Sequence, residues 1–568
     1  MIHETDNEGS RAIAMLWCQI GLHRIFELAG EASTGKLERQ LVSYHLLIDN
    51  LGAAHQILDE MSFMQRNNKY SRYLAYCVAL RSRNDADAQS CLNTITNGQG
   101  DDDKLLFACI GESIKYGKPL NTARLLQRLY DKHVQLPSTD VDLGALLKYI
   151  VKSLMEVIAT QTAEQQLDLE TLIRLCAVFR HLKRAHEKGI IGPVDHSSGK
   201  RLDLRWFEEQ SFDIARTHIK TWPRRYTIDL LQYSIQICSA EHGTTAGVMF
   251  PDEREARLRN SSFMQAILYA SKARDTTTTF SVEDLPETSY ESKTKPKASE
   301  CRLVLHRNVF NIFSAFNEQY QPQTLHKSAQ TDEIQSQLHV LVPFAFEALL
   351  FMNASSYLLD CHPFDEVSVR QFLNTVNELE PPAATYVLLA DTVLAFAGGD
   401  SSLCPQLNGL QIPSISAARL LGHIVGALRQ VQAYDVEQAA RWIRCIAQLL
   451  LEDVEKSLAK AVSQEKPKHD PSLAMLESMV QQAVDLAKSH NEGAVGYPFE
   501  EVEWLATKLF NMAIDFHAAE QQKVAEQWAA KAVEVADVTN TERGRRSSLA
   551  EVLRSKIGEL GWNVTVHK

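Results

Sequence analysis

LRWFEEQSFDIARTHIKTWPRRYTIDLLQYSIQIC, residues 204–238, has a second version in VEWLATKLFNMAIDFHAAEQQKVAEQWAAKAVEVA, residues 502–536. Aligned without a gap, Trp206 falls on Trp504, Phe212 on Phe510, Asp213 on Asn511 and Ala215 on Ala513. Each copy reads as a helix, a short turn and a second helix. A unit this small cannot bury its apolar faces alone and has to stack on neighbours, which makes a solenoid with an extended binding surface.

The second copy fits a tetratricopeptide (TPR) register of about 34 residues. Leu509, Met512, Ala513 and Phe516 share one face of its first helix, and Ala525, Ala529 and Ala532 one face of its second. Small residues there let two helices cross at close range. A third unit is legible at Phe107, Ile110, Gly111, Ile114 and Ala123, and a fourth around Ala427, Ala439, Ile443 and Ile446. Helical periodicity runs through most of the chain, including Ala12–Glu27, Leu37–Asn50, Ala53–Met64, Tyr70–Arg81, Leu143–Ile158, Leu169–His186 and Ser416–Gln432. The expected class is therefore all-α, a superhelical solenoid of TPR-like helical hairpins.

Breaks fall where Gly, Pro, Asn and Asp cluster, at Asn97–Asp103, Ile191–Lys200, His242–Pro251 and Gly398–Pro413, with Pro223 opening a helix or ending a turn. Asp275–Glu300 is rich in Thr, Ser, Glu, Lys and Pro and too poor in apolar residues to offset chain entropy, so it is expected to be disordered or extended. The expected organisation is N-terminal repeats over 1–190, repeats with the first Trp motif over 191–274, the polar insertion over 275–300, and C-terminal repeats with the second Trp motif over 301–568.

Composition narrows the function. A hydrophobic content of 45% with 23% charged residues belongs to a folded chain, and 568 residues suffice for several domains or one long solenoid. A formal charge of −12 argues against broad phosphate-backbone binding, although Arg543, Arg545 and Arg546 make one small cluster. Ten scattered cysteines without a CxxC spacing suggest reduced, buried thiols of a cytosolic or nuclear protein. No signal peptide is read in MIHETDNEGS, and the apolar stretch from Ala384, which carries Asp391, is too short to span a bilayer. A soluble protein is expected.

Motifs for catalysis are hard to find. Gly111–Pro119 has five residues between its glycines where a phosphate-binding loop has four, and Pro119 stands where Ser or Thr should hold magnesium. GxGxxG, GxSxG and HExxH do not occur. The adjacent Cys361 and His362 lack further ligands nearby. Glu208–Glu209 and Glu500–Glu501 fall where the repeat helices begin, a position that the helix dipole favours without any acid–base role. No catalytic residue, metal, cofactor or small-molecule substrate is expected.

The pattern of a Trp followed by an aromatic-(Asn/Asp)-x-Ala core, in WFEEQSFDIA (Trp206–Ala215) and WLATKLFNMA (Trp504–Ala513), resembles the fungal sporulation-specific meiotic TPR family, the Zip-four type, which has a testis-expressed mammalian counterpart. Trp528 in AEQWAAKAVEVA resembles the family's Trp-containing partner helix; the first copy lacks this Trp and has Asp213 in place of Asn. The resemblance implies a nuclear, non-enzymatic scaffold on meiotic chromosomes. It would promote synapsis and crossover formation by binding axis, synapsis or crossover proteins. A cytosolic TPR adaptor or co-chaperone is the alternative, and it would need a basic carboxylate clamp that the first helices do not display. An enzyme with a site assembled from distant residues is a third possibility, and would show a deep pocket with converging His, Asp or Glu.

Physical roles follow separately. Trp206 and Trp504 are expected to lock one repeat onto the preceding one. Asp213 and Asn511 are expected to hydrogen-bond backbone or a neighbouring helix from a buried position. The partner groove is expected on the face lined by the first helices of successive repeats.

Overall fold

The computed structural model describes residues 8–25, 30–96, 103–135, 142–160, 169–187, 204–242, 252–275, 298–320, 329–358, 362–398, 410–430, 435–461, 471–489, 497–538 and 548–562. Among them are 23 helices and no strand. The expected break at Ile191–Lys200, all but the ends of those at Asn97–Asp103, His242–Pro251 and Gly398–Pro413, nearly all of the polar insertion, Cys361, and Arg543, Arg545 and Arg546 lie outside the described residues. The chain divides into two compact units at Arg254 and Glu255.

In the first unit, α1 (Glu8–Gly21) packs on α2 (Glu31–Leu47), which pairs with α3 (Leu51–Glu60). The single turn α4 (Phe63–Arg66) leads to the hairpin of α5 (Lys69–Arg81) and α6 (Asp85–Thr96). Three more pairs follow: α7 (Asp103–Tyr116) with α8 (Pro119–Gln135), α9 (Leu143–Thr160) with α10 (Leu169–Glu187), and α11 (Leu204–His218) with α12 (Arg224–His242). The one helix expected over Ala53–Met64 is two. Ser62 breaks it by accepting the backbone N–H of Gln65, a cap that starts α4 afresh.

The division falls in the first turn of α13 (Asp252–Ala273). Beyond it come α14 (Ala298–Gln319), α15 (Ala329–Leu358), α16 (Glu366–Glu378), α17 (Ala383–Gly398) and α18 (Ser414–Leu428). The chain then runs through α19 (Val436–Ala461), α20 (Pro471–Ser489), α21 (Phe499–Ala518), α22 (Gln522–Val538) and α23 (Ser548–Glu559). From α5 to α12 and from α15 to α22, odd-numbered helices are the first members of hairpins and even-numbered helices the second. Like packs on like: α5 meets α7, α15 meets α17 and α19 meets α21, while α10 meets α12, α16 meets α18, and α18, α20 and α22 follow one another. Each unit is thus a solenoid of TPR-like hairpins.

The turns have a common chemistry. After α2, α5 and α21 the chain takes a left-handed residue, Asp49, Arg83 or Glu520. The next N–H then bonds back to the helix, as Gln521 N does to Phe516 O at 2.9 Å. The closest hairpin, α21–α22, is cemented by Ala513, Ala525, Ala529 and Ala532, all wholly buried. Side chains this small let two helix backbones approach closely. The arguable fourth unit packs in the same way, with Ala427, Ala439, Ile443 and Ile446 buried.

The most apolar long helix is α15, not the Ala384 stretch. Its segment Thr331–Leu358 is long and apolar enough to cross a bilayer, yet Val342, Ala345, Phe346, Leu350 and Ala354 are fully buried against neighbouring helices. Gly111–Pro119 is the end of α7 and the turn into α8, which is no strand–loop–helix. Cys18, Cys77, Cys91, Cys109, Cys176, Cys238 and Cys301 are buried and Cys445 half-buried, all as free thiols.

Candidate protein-binding surface

The odd-numbered helices are tied to one another by cations lying over aromatic rings. Arg81 of α5 sits 4.2 Å from the ring centre of Tyr116 in α7, and Lys148 of α9 sits 5.2 Å from Trp206 in α11. In the second unit, Arg274, just past α13, sits 4.8 Å from Phe344 in α15, and Arg444 of α19 sits 4.7 Å from Trp504 in α21. Each arginine is also paired with a carboxylate on the helix that carries the ring. Arg81 reaches Glu112 at 3.2 Å, Arg444 reaches Glu501 at 3.3 Å, and Arg274 pairs with Glu347. A guanidinium held between a carboxylate and a π-face fixes both the spacing and the rotation of the next odd helix.

The two copies of the Trp motif occupy equivalent places on these helices. Trp206 and Trp504 are half-buried and contact the preceding odd helix, in the inter-repeat position that their size and place in the motif suggest. Phe212, Ala215, Phe510 and Ala513 are buried, and Trp528 is buried with Lys531 near its ring at 5.7 Å. Asp213 and Asn511 correct the expectation: both are exposed, and Asp213 pairs with Arg216 at 3.4 Å on its own helix. The spacing explains this. Seven residues is close to two full turns, so the polar residue returns to the outer edge occupied by the Trp, not to the core. Glu208 departs in the opposite sense. It is fully buried and pairs with Arg254 at 3.5 Å, so it is a packed ion pair and not a solvated helix-start charge.

Among the described residues, a groove opens on the odd-helix face within each unit. The first holds about 630 Å³ between α7 and α9, with the start of α8 as its floor. Phe107 (45% exposed), Ile114 (62%) and Tyr149 (58%) present their side chains there. In the legible third unit, therefore, Ile110 and Ala123 are core, whereas Phe107 and Ile114 are groove wall. At one end of the groove, Asp142 caps α9 by accepting the N–H groups of Gly144 and Ala145. Lys152 and Glu156 lie along the same stripe of α9.

The second groove holds about 770 Å³ between α15 and α17, with Arg274 at its edge. Val340 (43% exposed) and Leu388 (52%) face each other across it, with Phe344 and Pro382 beside them. Pro343 stands inside α15 and has no N–H to give the carbonyl of His339 four residues back. His339 Nε2 lies 3.0 Å from the carbonyl of Leu379, and Gln335 Nε2 donates to the same oxygen at 3.4 Å, tying α15 to the end of α16.

Next to the second groove lies a buried imidazole. His306 stacks on Phe351 at 4.2 Å, and burial, helped by the charges of Arg274 and Arg302, pushes its pKa down to about 3. Burial likewise drives the thiols of Cys77 and Cys109 up to about 12. Among the described residues, no group of three or more His, Cys, Asp and Glu is placed to hold a metal ion.

No protein-family model matches the chain, and no curated protein matches it. Thirteen chains among solved structures match, one of them in the structure of Naa15/Naa10 bound to HypK-THB. That chain is 11% identical over 97% of this chain and 87% of its own, with a TM-score of 0.17. At that score the two chains do not superpose as one path.

Proposed function

We propose that the chain is a non-enzymatic scaffold that holds other proteins on the faces of its odd-numbered helices. The observation that carries this reading is the pair of apolar grooves, each on the first-helix face of its unit and each with large apolar side chains left in solvent. Exposed apolar surface of this kind, rimmed by polar residues, is what protein partners cover. In a helical solenoid the partner reads side chains from several successive repeats at once.

Within that reading, the Trp206 and Trp504 segments point to a nuclear scaffold of meiotic chromosomes whose partners are axis, synapsis or crossover proteins. The support is the resemblance of the motif alone. The test is affinity purification of the tagged chain from cells synchronised in meiosis, with partners identified by mass spectrometry. Recovery of chromosome-axis, synapsis or crossover proteins, weakened by Trp504→Ala, supports the meiotic role. Recovery of chaperones alone, or no expression in meiosis, removes it and leaves an adaptor of another pathway.

A further inference from the structure

Granting the scaffold reading on which it rests, we propose that the groove between α15 and α17 docks a cationic amphipathic segment of another protein. Apolar side chains of that segment enter between Val340, Phe344 and Leu388, and its Lys and Arg side chains reach an acidic rim.

The apolar half of the argument is the groove itself. Val340 and Leu388 are about half exposed on facing helices, and Phe344 and Pro382 continue the lining. Leaving such surface in water is unfavourable in proportion to its area, and a partner that covers it recovers that free energy.

The charge half comes from the rim. Asp332 lines the groove from the first turn of α15; Asp391, one turn beyond Leu388 on α17, lies outside the lining and leans toward Trp442 of α19. Both are exposed, and neither is in an ion pair with a cation among the described residues. Desolvation pushes the Asp391 carboxyl above its usual range, against a hydrogen bond from the Trp442 side chain. The arginine at the edge of the groove, Arg274, is already taken by Glu347 and the ring of Phe344. Farther along, α19 and α21 expose Glu452, Glu455, Glu500, Glu503 and Asp515 outside any ion pair among the described residues, against Lys456 and Lys508. Most of the formal charge of −12 falls in residues 255–568. Such a face repels nucleic acid and acidic peptides and steers a basic one. The α7–α9 groove, where Lys152 stands between Asp142 and Glu156, has no such bias.

The test is selection of a random-peptide phage library on the intact chain, followed by fluorescence anisotropy with the synthetic winners. Three proteins are compared: the unaltered chain, Ala384→Trp to fill the groove, and Asp332→Lys with Asp391→Asn to remove the rim charge. Circular dichroism melts confirm that each is folded. If Ala384→Trp disturbs the helices, the smaller change Leu388→Ser replaces it. The expected winners combine spaced apolar residues with Lys and Arg, weaken as salt rises, and bind about fivefold less tightly to the rim variant. They also lose most of their affinity for the groove variant. Winners that are acidic or uncharged but still blocked by Ala384→Trp overturn the cationic assignment and leave the scaffold reading standing. Winners indifferent to both groove variants, or no winners, overturn the groove as a docking site.

Discussion

The guanidinium of Arg444 lies 4.7 Å from the ring centre of Trp504, so the first helix of one hairpin grips the first helix of the next. Glu501, one turn before the Trp on α21, takes the other side of the same guanidinium at 3.3 Å. Lys148 and Trp206 repeat the cation–ring part in the first unit, and Arg81 with Tyr116 and Glu112 repeats the whole arrangement. One arginine therefore couples two helices through two different forces.

Removing that coupling should be visible. Arg444→Ala is expected to destabilise the α19–α21 junction by about 1 kcal/mol, from the lost cation–π contact and the unpaired Glu501. A double-mutant cycle with Trp504→Phe, read by hydrogen exchange in α21, should give a coupling of about 0.5–1 kcal/mol. Additive effects would mean that the ring and the guanidinium do not interact.

The buried alanines set a steric limit. Ala529→Leu in α22 forces extra methyl groups into the α21–α22 contact and should cost about 1–3 kcal/mol. The same change at the exposed end of α21, Ala518→Leu, should alter stability little. Thermal melts of the two variants check the contrast.

Glu520 takes a left-handed backbone (φ 60°) in the turn between α21 and α22. A glycine adopts that conformation without the Cβ clash, so Glu520→Gly is expected to raise stability by about 0.5–1 kcal/mol despite its extra freedom when unfolded. Lower stability would mean that the Glu520 side chain contributes more than the strain costs.

His306 gives a pH signature. Its folded pKa is held near 3, below the ordinary value of 6.5, so it remains neutral in the fold while the unfolded chain takes up a proton. Its contribution vanishes above pH 6.5 and becomes increasingly destabilising as pH falls from there toward 3. His306→Phe should flatten that part of the melting-temperature profile, and an unchanged slope would contradict the burial argument.

Cys77 and Cys109 should resist alkylation at neutral pH in the native chain, because burial holds both thiols protonated at about 12. Rapid labelling of either without unfolding would contradict their placement.

The helical class and the hairpin unit were legible in the sequence because the matched alanines and the i, i+3, i+4, i+7 spacing state which faces must be buried. The inter-repeat place of Trp206 and Trp504 was legible for a related reason, since a large ring at a helix start has little else to pack on. The outward placement of Asp213 and Asn511 was encoded too, in their seven-residue distance from the Trp. The partners Arg444 and Lys148 were not legible, because they sit about sixty residues earlier, in a helix whose register only tertiary packing fixes. Glu208 escaped for the same reason, its charge being answered by Arg254 of α13, two helices on. Neither groove could be read, because Phe107, Ile114 and Leu388 have the spacing of core residues, and exposure depends on how far neighbouring helices splay.

The most direct test is site-specific photo-crosslinking. A benzophenone amino acid would be placed at Tyr149 or Leu388 on the odd-helix faces, and at the comparably exposed Ile173 on the even helix α10. In extracts of cells that express the protein, the scaffold account predicts protein adducts at Tyr149, at Leu388 or at both, and none above background at Ile173. Adducts at Ile173 alone, or none at any of the three, would contradict it.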